Sequence, residues 1–414
     1  MQDKSIRTIA RILIGWLLVG LCASPGYGGD PQPTAPIGQA VTDFGFDVIR
    51  RVGRPTENLL VSPYSLATAL AMVQSGAKGK TLEQMTQVLH LTGIPGSVDH
   101  RFGALQQQIV GTGENRASSG ALRVANGLWA QAGYPFLPAF QQTAEEAYRA
   151  QVASADFKKN PDGERQAING WVAKATADKI LDLIPAGGVT QDTRLVLANA
   201  LYFKNEWEKK FDPHQTHDTD FFVRGGTKVQ VSTMSLHRLF TYAETDALKL
   251  LQMPYASGGC SMWIVLPKQQ NGLGGVEQSL IPNMLDDIMR KAKIEDVVVS
   301  LPKFTFRSRF RLADTLRALG MPDAFSREAD FSGMTAGKEL KLAEVYHQTY
   351  VAVAEQGTEA AAATAASMML AMAPLNPDLP KPVLFIADHP FLVFIRHDAS
   401  GAMLFQGRVT DPRS

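Results

Sequence analysis

Cysteine is nearly missing from this chain: Cys22 and Cys260 are the only two in 414 residues. The first lies in a stretch with the form of a secretory signal, in which Lys4, Arg7 and Arg11 precede an apolar run from Ile12 to Ala23 and small residues around Gly26 and Gly28. Removal of residues 1–29 would leave Cys260 alone, which excludes an internal disulfide and makes packing the source of stability. The apolar run is shorter than the roughly 20 residues a spanning helix needs. A secreted location, extracellular or periplasmic, is therefore expected, with a membrane anchor as the alternative.

A dominant charge is also lacking. Lys and Arg number 41 against 40 Asp and Glu, a net charge of +1, and loss of Lys4, Arg7 and Arg11 with Asp3 would leave about −1. No basic block of the kind that binds nucleic acid is present. Nor does the sequence contain a Gly-x-Ser-x-Gly elbow or a His-Glu-x-x-His pair, so the common hydrolase and metalloprotease signatures are absent. Gly79-Lys80-Thr81 ends like a phosphate-binding loop, but position 74 is Gln where that loop needs Gly. His214 and His217 lie close together, and two histidines do not close a metal site. Neither a metal nor a cofactor is expected.

What is present suits a large core: 45% of residues are hydrophobic and 20% charged. Residues 30–36, Asp-Pro-Gln-Pro-Thr-Ala-Pro, have linker composition, and no later stretch does, so residues 37–414 are expected to form one domain. Phe44, Val48, Ile49 and Val52 keep helical spacing. A helix starting at Tyr64 can be capped by Ser62 with Pro63 in its first turn. Helices are expected over 138–148, 164–183 and 312–319, the last ending at Gly320. Strands are expected over 122–131, 221–228, 229–234, 248–253, 261–267 and 297–301. The run from Asp192 to Lys204 is apolar on both faces, as in a central strand covered on both sides. From Leu340 to Glu355 apolar and polar residues alternate for much of the length, again a strand. Within it, His347 reads by itself as a hydrogen-bonded core histidine.

The stretch Glu355–Ala371, EQGTEAAAATAASMMLA, carries two readings. Ala propensity favours a surface helix. As a strand, it would set Thr358, Ala360, Ala362, Thr364 and Ala366 on one small, uncharged face and turn Glu359 to the other. Proline is absent from 355 to 372, whereas Pro374, Pro377, Pro380 and Pro382 would each remove a ladder donor. The stretch can join a sheet; its continuation cannot easily do so.

VAVAEQGTEAAAAT resembles the hinge of a serpin reactive loop. Ser62-Pro63-x-Ser65 resembles the serpin shutter, and Asn199-Ala-Leu-Tyr-Phe-Lys with Asn205 and Trp207 resembles a serpin signature that has Gly where this chain has Asn205. Val297–Leu301 followed by Pro302-Lys-Phe matches a further serpin strand. The resemblance implies an α+β, single-domain fold of three β-sheets and eight to nine helices with an exposed reactive loop. It also implies a monomeric, non-enzymatic, suicide-type inhibitor that a serine protease cleaves and is trapped by covalently. Its hinge would be Glu355, Gly357, Thr358 and Ala360, Ala361, Ala362 and Ala363. Trp207 would mark the breach, and Ser62, Pro63, Ser65, Asn199 and His347 the shutter. Counting sixteen positions from Glu355 places the reactive bond at Ala371-Met372. A small or apolar residue there implies elastase- or subtilisin-like targets, or chymotrypsin-like ones if the cut falls instead at Leu370 or Met369 among the bonds around Met368 to Met372. The alternatives are a non-inhibitory carrier or chaperone, and an inhibitor of cysteine proteases.

Overall fold

Helices form where caps and apolar spacing direct them in the computed structural model, which describes residues 35–54, 56–110, 121–358 and 381–413. The expected signal over 1–29 lies outside the described residues, as do Ala360, Ala361, Ala362, Ala363, Ala371 and Met372. The first helix, α1 (Ala35–Ile49), begins within the stretch read as linker. In α2 (Pro63–Ser75) the Ser62 side chain accepts from the Ser65 N–H, Pro63 fills the first turn, and Pro63–Gln74 are buried throughout. Further along come α3 (Gly79–Val88), α4 (Val98–Val110), α5 (Pro138–Tyr148), α6 (Pro161–Ala175), α7 (Leu273–Ser279), α8 (Pro282–Lys291) and α9 (Ala313–Leu319). The helix expected over 164–183 stops at Ala175, because Ala177 and Asp178 take left-handed φ values of 51° and 59°.

The described strands form two hydrogen-bonded networks. In chain order they are β1 (Leu59–Val61), β2 (Ala121–Gln131), β3 (Gln151–Ala155), β4 (Leu195–Glu206), β5 (His217–Phe222), β6 (Lys228–Glu244), β7 (Leu248–Pro254) and β8 (Cys260–Pro267). Then follow β9 (Lys293–Pro302), β10 (Phe304–Arg311), β11 (Glu344–Ala354), β12 (Gly357–Thr358), β13 (Val383–Ile386), β14 (Phe391–His397) and β15 (Met403–Val409). One sheet has six strands, ordered β10-β11-β12-β4-β2-β3, and the other has nine. The nine-stranded network is continuous because β6 pairs with β5 through residues 228–233 and with β7 through 241–244, while β9 spans the junction. Divided at that junction, it supplies the second and third of the three expected sheets. The strand expected over 221–228 is broken by a hairpin turn between Phe222 of β5 and Lys228 of β6, where Gly225 and Gly226 take φ values of 91° and 80° that a side chain would resist.

Why Leu195–Phe203 reads as apolar on both faces is now clear. Leu195, Leu197, Leu201 and Phe203 point into the main core, with α2 among its members. Val196, Ala198, Ala200 and Tyr202 point the other way, under Ile168 and Val172 of α6. Period-2 alternation thus buries both rows, and β4 becomes the fixed centre of the six-stranded sheet.

Candidate functional site

β4 and β11 run parallel and in contact from Val196↔Glu344 to Tyr202↔Tyr350. Beyond that pair they part, and β12 occupies the gap. Thr358 is paired with Val353 on one side and Asn205 on the other, and Gly357 with Ala354 and Glu206. The chain reaches this position by turning back at Glu355 and Gln356. Gly357 is required there: its φ is 155°, and an added Cβ would stand 2.1 Å from the Asn205 carbonyl oxygen.

Several groups hold the turn. Glu355 Oε1 accepts from Lys303 Nζ at 2.9 Å and from Thr216 Oγ1 at 3.0 Å. Desolvation opposes the Glu355 carboxylate, but the hydrogen bonds of its own backbone, Lys303 and Thr216 outweigh it, so the pKa is lowered. The Trp207 N–H donates to the Gln356 carbonyl, and the Trp207 indole Nε1 donates to the Ala354 carbonyl at 2.9 Å. Trp207 stacks on Tyr255 with ring centroids 4.7 Å apart and an 11° interplanar angle. The Tyr255 hydroxyl lies 2.7 Å from Thr358 Oγ1, fully buried, and this burial pushes the Tyr255 pKa far up. The gap between β4 and β11 is thus floored by aromatic surface and closed by one hydroxyl pair.

Lower in the same sheet, beneath the closed part of the seam, polar groups meet in an otherwise apolar core. His347 Nε2 accepts from the Ser62 N–H at 3.0 Å, which leaves Nδ1–H to donate to Asn199 Oδ1 at 2.6 Å. The Asn199 amide nitrogen lies 2.6 Å from Ser65 Oγ and 2.5 Å from Asn126 Oδ1. Burial alone lowers the His347 pKa to about 3, so the ring is neutral at pH 7. His347 and Asn199 are register partners on β11 and β4, so this hydrogen bond crosses the line along which the two strands would separate.

Of the sequence-assigned residues, Ser62, Ser65, Asn199 and His347 therefore converge, Pro63 begins the helix beneath them, and Trp207, Glu355, Gly357 and Thr358 assemble above. Asn126, Thr216, Tyr255 and Lys303 were not foreseen. A signal existed for Asn126: it interrupts the apolar row Leu122, Val124, Leu128, Ala130 at its middle, as Asn199 interrupts Leu195, Leu197, Leu201, Phe203. The two asparagines are register partners.

The family model described as serpin (serine protease inhibitor) matches residues 39–412. This chain belongs to the serpin family. It is 36% identical over 378 residues to an uncharacterized serpin-like protein of Thermococcus kodakarensis, covering 91% of this chain and 86% of the relative. It is 38% identical over 366 residues to leukocyte elastase inhibitor of Bos taurus, covering 86% of this chain and 94% of the relative. Among solved structures, uncleaved ovalbumin superposes with a TM-score of 0.80 at 30% identity, covering 91% of this chain and all of that one. This serpin has the family fold; of the residues read as hinge, Glu355 lies in the turn between β11 and β12 and Gly357 and Thr358 form β12, while Trp207 follows β4, Ser62 caps α2, and Asn199 and His347 lie on β4 and β11. Among the described residues no helix is long and apolar enough to cross a membrane, and no cluster of three potential metal ligands occurs.

Proposed function

We propose that this serpin is a suicide-type inhibitor of serine endopeptidases with elastase-, subtilisin- or chymotrypsin-like specificity. The observation that carries the reading is the seating of Gly357 and Thr358 between β11 and β4, with ladder pairs on both sides. These two residues support an inserting strand, and if it continued in the same register each following residue would have a defined place. Ala360 would lie between Val351 and Phe203, Ala362 between Thr349 and Leu201, Thr364 between His347 and Asn199, and Ala366 between Val345 and Leu197. Small residues fit that inner row without expelling the core. Entry as far as Thr364 replaces the His347–Asn199 hydrogen bond with a strand.

The protease supplies the covalent chemistry: its serine attacks the carbonyl carbon of the residue before the cut, the peptide bond breaks, and the acyl-enzyme ester remains. The new amino terminus leaves with the C-terminal fragment. Insertion then draws the esterified residue along the sheet; Glu355–Ala371 extends about 56 Å at roughly 3.3 Å per residue. With the protease distorted at the far end, its oxyanion hole no longer serves deacylation. The Ala371-Met372 bond is the proposed site of attack. The small hinge residues weigh against a carrier or chaperone role, and the name of the leukocyte elastase inhibitors at 36–38% identity supports the target class. The complex would contain one inhibitor and one protease. Export rests on the pattern from Lys4 to Ala23.

Incubation with pancreatic elastase, subtilisin, chymotrypsin and papain tests the reading. An SDS-stable complex with one of the serine proteases, releasing a C-terminal fragment that begins at Met372, is expected. Clean cleavage by all four, with no complex and no rise in stability after the cut, overturns it; a complex with papain alone assigns the cysteine-protease class.

A further inference from the structure

On the outer face of the six-stranded sheet, opposite the Thr358 side chain, an open groove of about 690 Å³ crosses the top of the β4–β11 seam. Tyr202 and Tyr350, with ring centroids 6.4 Å apart, form part of its floor, and Lys179, Lys204, Lys303 and Arg413 line it without any carboxylate among the lining residues. Three of these cations are engaged. Lys303 is bound to Glu355, Arg413 to Asp411, and Lys179 lies 5.8 Å over the Tyr350 ring. Lys204 is exposed on β4, and no carboxylate among the described residues pairs with it.

The register names what would enter this groove. Thr358 is opposite Val353 and Asn205 and faces inward. The next residue of an inserting strand would lie between Ala352 and Lys204 and face outward. That residue is Glu359. Side chains directly opposite on adjacent strands have Cβ atoms about 5 Å apart, within reach for a carboxylate and an ammonium. The next outward residue is Ala361, which would lie between Tyr202 and Tyr350 and is small enough to rest on them.

We propose that the groove is the receiving site for Glu359, and that Lys204 is the positioning residue that pairs with its carboxylate as insertion begins. The inference rests on the insertion reading above. Its logic is electrostatic: Glu359 is the first residue to be laid onto the outer face, and a groove lined by cations draws that carboxylate inward before the neutral residues behind it follow. The pair thereby favours insertion over hydrolysis of the acyl-enzyme.

Lys204→Glu and Glu359→Lys, singly and together in the full chain, test it against the protease that forms the SDS-stable complex. Each single variant is expected to raise the ratio of cleaved free inhibitor to complex about two- to fivefold, the scale of a partly exposed ion pair. The rate of loop cleavage and the stability of the uncleaved protein should stay at the wild-type values. The double variant should restore the ratio, and high salt should shrink the single-variant effect. Single variants that partition like wild type overturn the proposal. So does a double variant as impaired as the worse single, or an effect of Lys204→Glu that Glu359→Lys does not share, which would assign the groove to some other anion. If the wild-type protein neither forms a complex nor gains stability when cut, it is the insertion reading that fails, and the receiving site with it.

Discussion

His347 Nδ1 and Asn199 Oδ1 are 2.6 Å apart across two parallel strands, and this buried hydrogen bond crosses the seam between β4 and β11. Both groups are 0% exposed, so separating them without a substitute partner leaves two unsatisfied polar groups in the core. Under the proposed insertion, a strand continuing the β12 register would bring Thr364, with its hydroxyl, to this point.

Acid should weaken the uncleaved protein through His347. Its pKa is about 3 in the fold against an ordinary 6.5, so between those values the unfolded chain binds more protons at this site. The stability is fully present above about pH 6.5 and falls by up to about 1.4 kcal/mol per pH unit as pH drops toward 3. Denaturant midpoints at pH 7.5, 5.5 and 4.5 should fall less steeply for His347→Gln than for wild type. Parallel slopes would falsify this assignment.

Thr358→Arg should convert inhibitor into substrate. Thr358 is 1% exposed and touches the Tyr255 hydroxyl, so an arginine there would bury an unpaired charge at a cost of several kcal/mol. Cleavage by the target should continue while the complex disappears. An unaltered stoichiometry of inhibition would remove this account of the hinge.

Glu355→Gln should loosen the turn without abolishing it. The amide keeps an acceptor for Thr216 but gives up the charge that Lys303 faces at 2.9 Å. With the pair partly exposed, the loss should be about 0.5–1 kcal/mol, read as a lower unfolding midpoint of the uncleaved form. Proteolysis between Glu355 and Thr358 should also accelerate, and no change in either measurement would show that the ion pair does not hold the turn.

Ala371→Arg should redirect the inhibitor toward trypsin-like proteases, whose primary pocket carries a buried Asp that an alanine leaves unpaired. Complex formation with trypsin, together with release of a fragment starting at Met372, is the expected result. A fragment that starts beyond Pro374 in both proteins would place the bond elsewhere.

By itself the sequence determined the local matters. Ser62 and Pro63 start a helix because a hydroxyl acceptor and a preset φ serve the first turn. Leu195–Phe203 is a doubly covered strand because both of its faces are apolar, and the run from Glu355 to Ala371 can join a ladder because it contains no proline. Membership of the serpin family was legible through its motifs. Tertiary structure decided the partners. Thr216 reaches Glu355 from 139 residues away and Lys303 from 52, and Tyr255 meets Thr358 across 103. No periodicity records such meetings, because they follow from which strands pair and how α2 and the two sheets close on one core. The choice between helix and strand at Gly357 and Thr358 was settled in the same way: alanine-rich propensity favoured a helix at a fraction of a kcal/mol per residue, and the open ladder edges of β4 and β11 outweighed it.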